Sequence, residues 1–328
     1  MMAMLFGSCS TDVDLYADFK DITVVYGLLD VTQDTNFIKI NRAFMGYGNA
    51  NDIALIADSC NYPGKLDCKL IEYRANLESN NYVKTQEYPL DTITIHNKDL
   101  GAFYAPDQLV YYTTGRIRPN TDRYQYRYDL EINRGDTIVT ATTDVVGGGS
   151  FSIVPNIMNF SSFIEYGKLK WLGCPNSFIY EIMVRFYYKE IVSANDSIDH
   201  CVSWSLGTRP EATLQIDNGV YYVNYLASLF YANIAEEIGA DSLLLNAERV
   251  FFEPSVEIEI TAGGEELYNY ITVNGSNSSI VQTIPEYTNI NGGYGVFSSR
   301  TKITKRVRMS AQTVVDLYKH NWNFRQGE

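Results

Sequence analysis

Histidines, cysteines and paired carboxylates are the side chains of this sequence that could do chemistry, and their spacing fits no common catalytic motif. The three histidines are His96, His200 and His320. None lies in an H-E-x-x-H sequence, no serine lies in a G-x-S-x-G turn, and no phosphate-binding loop is present. The carboxylate pairs Glu257/Glu259 and Glu265/Glu266 are typical of a solvated strand face and a helix N-terminus. We therefore expect a non-enzymatic protein without metal or cofactor, and the alternative is a hydrolase whose site is not recognisable.

The first nine residues resemble a bacterial lipobox, where a signal peptide is removed and the following cysteine is acylated. Met1–Phe6 is apolar, and the small residues Gly7 and Ser8 precede Cys9. Phe6 departs from the usual aliphatic residue, and the apolar stretch is shorter than a normal signal-peptide core, so we interpret it as the remnant of a longer signal peptide. We expect Cys9 to carry the lipid anchor. The alternative is a buried apolar segment with a free cysteine.

Four further cysteines fit a location in the cell envelope. Cys60 and Cys68 flank the turn-prone segment Asn61–Gly64, and Cys174 and Cys201 bracket a strand-like segment. An oxidising periplasm or cell surface would permit a disulfide within each pair, although four cysteines allow three connectivities. Alternatively, all four are small buried hydrophobic residues.

The composition of the chain excludes some classes of protein and favours others. The chain has 39 acidic and 26 basic side chains and a net charge of −13, which makes it a poor binder of nucleic acid. No apolar run reaches the roughly 18–20 residues of a membrane-spanning helix. The 26 tyrosines, with many threonines, valines and isoleucines, favour β-strands. We therefore expect a mainly β protein that reaches the membrane through its lipid.

Strand-like segments separated by turns indicate two domains after an N-terminal tether. Residues 1–21 are assigned to the signal-peptide remnant, the lipobox and the tether. Residues 22–146 are predicted to form an immunoglobulin- or transthyretin-like β-sandwich, because short alternating strands recur along them. The clearest strand is Tyr124–Asn133, whose strict alternation places its tyrosines on one face.

A glycine-rich segment, Gly147–Gly149, is the most linker-like stretch and marks the predicted domain boundary. Residues 151–328 are predicted to form a β-rich domain that resembles a fibronectin-III-type layer, with helical insertions. Helical spacing of apolar residues predicts a helix over Tyr221–Ile238. Two shorter helices are predicted over Gly264–Tyr270 and Ala311–His320. The overall expectation is two β-sandwich domains with a few helices in the C-terminal part.

Adjacent tyrosines predict an aromatic surface. The pairs are Tyr111–Tyr112, Tyr187–Tyr188 and Tyr221–Tyr222. Neighbouring residues of a strand face opposite sides, so we expect one tyrosine of each pair to face outward. Exposed tyrosine beside asparagine and serine suits the binding of sugars or proteins. The alternative is tyrosine in the ordinary core and rim of a sandwich.

Several segments resemble a known family. They are Val24–Asp30, Ile38–Phe44, Gly264–Tyr270, Ser279–Gln282, Tyr287–Ile290 and Gly295–Arg300. Together with Cys9, they resemble envelope lipoproteins of the Bacteroidota, a domain family of unknown function that is often encoded near TonB-dependent transporters. The resemblance extends from about Cys9 to Arg300, and its motifs look structural, so it implies no catalytic residue.

The resemblance and the lipobox imply an outer-membrane, lipid-anchored protein on the periplasmic or the surface face. It would act as a binding or accessory component of a TonB-dependent uptake system. The implied partners are the membrane and a TonB-dependent transporter or another envelope protein. The expected tyrosine-rich surface adds a glycan as a further partner. A rival of another class is a fimbrial or adhesin-type subunit that accepts a strand at a sheet edge.

The lipid anchor is tested by Cys9→Ala, which should move the protein from the membrane to the soluble fraction, because acyl chains supply the membrane affinity. Partition is followed by immunoblot after ultracentrifugation. Cys60→Ala is the matched control and should stay on the membrane. Unchanged membrane retention of Cys9→Ala would contradict the lipoprotein interpretation.

Overall fold

β-strands make up most of the chain in the computed structural model, which describes residues 22–43, 49–78, 81–96, 99–101, 104–105, 107–239, 247–275 and 286–328. The expected mainly β fold with a few helices is thereby confirmed. Cys9 with the tether, and the segment Ser279–Gln282, lie outside the described residues. In the described ranges, none of the helices has the length and apolarity that a bilayer crossing requires.

Eight strands and two short helices form the first part of the chain. They are β1 (Ile22–Asp30), β2 (Asn36–Ala43), α1 (Ala50–Ala54), α2 (Ala57–Cys60), β3 (Asp67–Asn76), β4 (Val83–Pro89), β5 (Asp91–Ile95), β6 (Gln108–Thr113), β7 (Tyr124–Asn133) and β8 (Ile138–Asp144).

Eleven strands and three longer helices follow, with one 3-10 turn at Glu211–Thr213. They are β9 (Ser152–Ile153), β10 (Ile157–Met158), β11 (Tyr166–Leu172), β12 (Ile179–Ser193), β13 (Asp196–Pro210), β14 (Gln215–Asp217), β15 (Val220–Leu226), α3 (Ser228–Gly239), β16 (Glu248–Phe251), β17 (Val256–Gly263), α4 (Glu265–Asn274), β18 (Gly293–Met309), α5 (Ala311–Lys319) and β19 (Phe324–Gln326).

One mixed sheet of eleven strands runs through both parts of the chain. Its central strand β18 pairs in parallel with β1 from Gly293 to Arg300, and antiparallel with β17 from Arg300 to Val307. β2, β6 and β5 continue the sheet beyond β1. On the other side, β17 pairs with β12, and β12 pairs with β13. We call this the large sheet.

Two smaller sheets pack on the same face of the large sheet. The sheet β4-β3-β7-β8 lies over β1, β2 and β6, and Val25, Ile38, Leu70, Tyr128 and Phe297 are buried between them. The sheet β14-β15-β11-β9, with α3 and α5, lies over β12, β17 and β18. The residues buried there include Trp171, Phe186, Phe230, Ile258 and Val307.

The two cores meet between Val145, in the first core, and Val146, in the second. The two sandwiches share the large sheet as one layer. Residues 22–146 and 151–328 as separately folding domains, and the immunoglobulin-like and fibronectin-like identities of the sandwiches, stay predictions.

The predicted linker Gly147–Gly149 is packed against the rest of the protein at Gly147, which is buried, and at Gly148, which is half-buried. The backbone N–H of Asn120 donates to the Gly147 carbonyl at 3.2 Å. The Asn120 side chain also donates to the Val145 carbonyl at 2.6 Å. A Cβ atom on Gly148 would lie 1.9 Å from the Asn120 carbonyl oxygen, and Gly148 has φ +89°. The glycines are therefore required for close backbone approach and positive φ.

The prediction of a helix over Tyr221–Ile238 is correct only for the second half of that range. Its first part is β15, which pairs antiparallel with β11 so that Tyr221 lies opposite Trp171. The helix α3 begins only at Ser228. The spacing of apolar residues in 221–226 also suits a helix. These residues form a strand because pairing with β11 and burial of their tyrosines outweigh that spacing.

Gly148→Ala should lower the free energy of unfolding by about 3 kcal/mol or more, since the new methyl group meets the Asn120 backbone as well as adopting an unfavourable φ. Gly135→Ala is the matched control, because Gly135 has φ +95° and open space around it. It should cost only about 1–2 kcal/mol, from backbone strain alone. Urea unfolding measures both, and equal losses would contradict the close packing of Gly148.

Candidate functional site

The outer face of the large sheet, opposite the two cores, carries a cleft with two pockets that share Tyr26. We call it the Tyr26 cleft. The first pocket has a volume of about 440 Å³, and its lining includes Tyr26, Lys39, Asn41, Arg42, Tyr104 and Gln108. The second has a volume of about 570 Å³, and its lining includes Tyr26, Asp30, Phe37, Tyr270, Val296 and Arg300. Both volumes are in the range of small-molecule sites.

Strand alternation places Tyr26 in the cleft. Val25 and Leu29 of β1 are fully buried in the first core, so Tyr26 points to the opposite face, where its side chain is 46% exposed. Its neighbours across the sheet are Lys39 on β2 and Val296 on β18. The second pocket therefore depends on the pairing of β18 with β1, whereas the first pocket has no β18 residue in its lining.

The helix α4 forms one wall of the second pocket. Its first turn is fixed beside β18, because the Ser298 hydroxyl donates to Glu266 Oε2 at 2.9 Å and the Leu267 N–H donates to Ser298 Oγ at 3.2 Å. Thr143 on β8 donates to the same carboxylate at 3.0 Å. Burial raises the pKa of Glu266. One turn later, α4 presents Tyr270 to the cleft.

Tyr26 and Tyr270 meet edge to face. Their ring centroids are 6.2 Å apart with planes at 82°, and their hydroxyls are 3.5 Å apart. The hydrogen bond with Tyr270, followed by burial, raises the pKa of Tyr26 from 10.0 to about 12. The Tyr26 hydroxyl is therefore neutral at physiological pH and can both donate and accept a hydrogen bond. Since the folded pKa is the higher one, the stability from this group is complete below about pH 10 and is lost as the pH rises towards 12.

A second aromatic pair lies next to the first. Phe37, 48% exposed, lies opposite Tyr112 on β6, and their ring centroids are 6.2 Å apart. Phe37 lines the second pocket. The cleft thus offers exposed aromatic side chains on adjacent strands, and a ring of a bound molecule can stack on such a face.

Polar side chains surround these rings. In the first pocket, Lys39 Nζ donates to Gln108 Oε1 at 2.9 Å, and Asn41 Nδ2 donates to Asn61 Oδ1 at 2.9 Å. In the second pocket, Arg300 Nε donates to Asp30 Oδ2 at 3.2 Å. These groups hold one another in place and present amide, carboxylate and cationic groups to a ligand.

The predicted carboxylate pairs are structural. Arg185 lies between Glu257 and Glu259, at 3.3 Å and 3.2 Å, on the outer face of the large sheet. Arg306 and Lys302 approach the same two carboxylates at 3.4 Å and 3.7 Å. Of the other pair, Glu265 is exposed and Glu266 fixes α4.

The three histidines do not converge. His96 Nδ1 is 2.7 Å from Asp107 Oδ1 at the rim of the first pocket. His200 stacks on Tyr188 with centroids 4.9 Å apart, and His320 stacks on Trp322 with centroids 4.1 Å apart. Within the part of the chain that the structure describes, no three side chains of His, Cys, Asp or Glu are grouped to hold a metal ion.

The expected disulfides do not form. Cys68, Cys174 and Cys201 are free thiols. Cys174 lies beside Tyr180 and Cys201 lies opposite Tyr187. Tyr180 and Tyr187 are about 20 Å apart along β12. Cys174 and Cys201 are therefore too far apart to form a disulfide. Cys60 lines the first pocket.

Two of these thiols are buried. Burial raises the pKa of both Cys68 and Cys174 to about 12. Both therefore behave as the small hydrophobic residues of the alternative interpretation. The exposed thiol is that of Cys201.

The tyrosine pairs are placed as predicted in two cases. Tyr111 and Tyr188 are buried, whereas Tyr112 and Tyr187 are half-buried on the outer face. In the third pair, both tyrosines are half-buried.

The residues that define the cleft, Tyr26, Phe37 and Tyr270, were not singled out from the sequence. One signal for Tyr26 and Phe37 existed, since each is an aromatic residue at the outward position of an alternating strand. No sequence signal joins Tyr270 to Tyr26, because they lie 244 positions apart.

No protein-family model matches the chain, and no curated protein matches it.

Proposed function

We propose that the protein is a lipid-anchored outer-membrane protein that binds a glycan in the Tyr26 cleft. The observation that carries this proposal is the pairing of Tyr26 with Tyr270 in an open cleft that also holds amide and charged side chains. Anchoring through Cys9 rests on the lipobox. The periplasmic and the surface face of the membrane both fit this role.

A sugar ring suits this cleft because it has one apolar face and a rim of hydroxyl groups. The apolar face can pack on Tyr26 or Phe37, and aromatic side chains supply large contact area at low entropic cost. Hydroxyl groups can bond to planar amide groups such as those of Asn41 and Gln108, which line the first pocket. Two pockets on either side of Tyr26 suit a ligand longer than one sugar unit.

Binding without turnover is the favoured activity. Asp30 and Asp107 are carboxylates of the cleft, but they line different pockets. Asp30 is bonded to Arg300, and Asp107 is bonded to His96. A glycosidase needs two carboxyl groups on either side of one bond, with one of them able to donate a proton.

A hydrolase is the second candidate, and the His96–Asp107 pair favours it. A histidine held by a carboxylate at 2.7 Å is an arrangement that can orient a general base. His96 is largely exposed and is placed at the rim of the pocket rather than inside it, which makes this candidate the weaker one.

The link to a TonB-dependent transporter rests on the resemblance of Val24–Asp30 and the related segments to envelope lipoproteins. We expect such a transporter to co-purify in near-stoichiometric amount when the full-length protein is extracted from its own outer membranes with gentle detergent. Mass spectrometry identifies the bound proteins. Recovery of the protein alone would contradict the transporter link and leave glycan binding untouched.

The glycan proposal is tested by screening the protein on an array of neutral and acidic oligosaccharides and titrating the best binder by calorimetry. Tyr26→Ala should weaken binding at least about tenfold, equivalent to ~1.4 kcal/mol, because it removes the stacking surface. Tyr26→Phe should bind within a few-fold of the native protein. Tyr166→Ala, an exposed tyrosine on the separate strand β11, is the matched control.

Unchanged binding by Tyr26→Ala would place the ligand elsewhere, and absence of any binder on the array would contradict the glycan class. Release of shorter products during the titration would favour the hydrolase.

A further inference from the structure

β13 is a long edge strand of the large sheet. It spans 15 residues and pairs with β12, and along its other edge no strand of the described residues is hydrogen-bonded to it. An open edge exposes a row of backbone N–H and C=O groups, which form a template for another strand.

The two ends of this edge carry charged residues or an irregularity, whereas its middle carries neither. At the start of β13, Asp196 and Asp199 are exposed. At its end, the register against β12 shifts between Ser205 and Gly207, and Gly207 has φ +99°. Charges and bulges are the devices by which proteins block edge strands. The segment from residue 200 to residue 205 carries neither.

We propose that β13 pairs with β13 of a second copy of this chain, antiparallel about a two-fold axis at Cys201. The register against β12 is regular from Ser197 to Ser205, and Cys201 is the central residue of that stretch. Pairing about this point therefore uses the full regular length of both strands. A two-fold interface requires that the same surface be complementary to itself.

The side chains of β13 meet this requirement. In the proposed register, Ile198 of one copy lies opposite Trp204 of the other, so the Ile198 side chain, 48% exposed in the single chain, gains an apolar neighbour. Asp199 lies opposite Ser203, and no charged residue faces a like charge. Parallel pairing in register would instead place each aspartate opposite its own copy, which is destabilising.

The dimer leaves the glycan cleft open. β12, β17 and β18 lie between β13 and the strand β1 that carries Tyr26. The pairing therefore places two lipid-anchored copies, each with a free cleft, in one extended sheet. This inference is independent of glycan binding and of the identity of the ligand.

The register is tested with charges at Ser203, measured by sedimentation of the full-length protein in detergent. Ser203 is exposed, so substitutions there should not affect folding. Ser203→Asp places two like-charge pairs with Asp199 across the interface and should weaken the dimer about tenfold. Ser203→Lys replaces them with two opposite-charge pairs and should keep or strengthen it. Ser203→Asn, of similar size and no charge, is the matched control.

Cys201 supplies the second measurement. Opposite residues of an antiparallel pair have Cα atoms about 4.5–5.5 Å apart, which permits a disulfide. A mild thiol oxidant should therefore give a Cys201–Cys201 cross-link, identified by peptide mass spectrometry. Cys201→Ser should abolish this cross-link while leaving the dimer intact.

Three results would overturn the proposal. They are a monomer at all concentrations, a dimer that does not respond to the charge at position 203, and a ladder of larger assemblies. The ladder would instead support the fimbrial type of strand exchange.

Discussion

The parallel pairing of β1 with β18 is the contact on which the rest of the structure depends. It joins residues about 270 positions apart, as in the hydrogen bond from Ser299 Oγ to the Leu29 carbonyl at 3.2 Å. β18 then continues into the second core, so Phe297 is buried in the first sandwich and Val307 in the second. One strand thereby makes a single layer out of the two parts of the chain, and the packed glycines at residues 147–149 cross between the cores beside it.

The same pairing separates the buried face of the large sheet from the face that carries the proposed site. One face of the large sheet is buried under the two smaller sheets, where apolar area supplies the stability. The other face carries Tyr26 beside Val296 of β18, with Tyr270 brought over it by α4. Farther along this face, the carboxylates of Glu257 and Glu259 are matched by Arg185, so the aromatic cleft lies next to a charge-balanced surface. The proposed function therefore depends on a face that the cores leave free.

Local features of this fold could be predicted from the sequence, and long-range ones could not. Alternation defined β7, observed at Tyr124–Asn133, and α5 begins at Ala311 as predicted. The helical spacing at Tyr221 was misleading because pairing with β11 is a tertiary effect. Gly147–Gly149 suggested a linker, since composition does not distinguish glycine needed for close packing from glycine in a flexible segment. Tyrosine-rich surface was expected, but not its position, because the cleft needs strands and a helix from opposite ends of the chain.

The central claim, that a glycan binds at the Tyr26 cleft on the outer face of the large sheet, is tested most directly by hydrogen–deuterium exchange with and without a binding oligosaccharide. The expected result is slower exchange in β1, β2 and α4, with no change in β13. Unchanged exchange in these three elements, or protection confined to other parts of the chain, would contradict the claim.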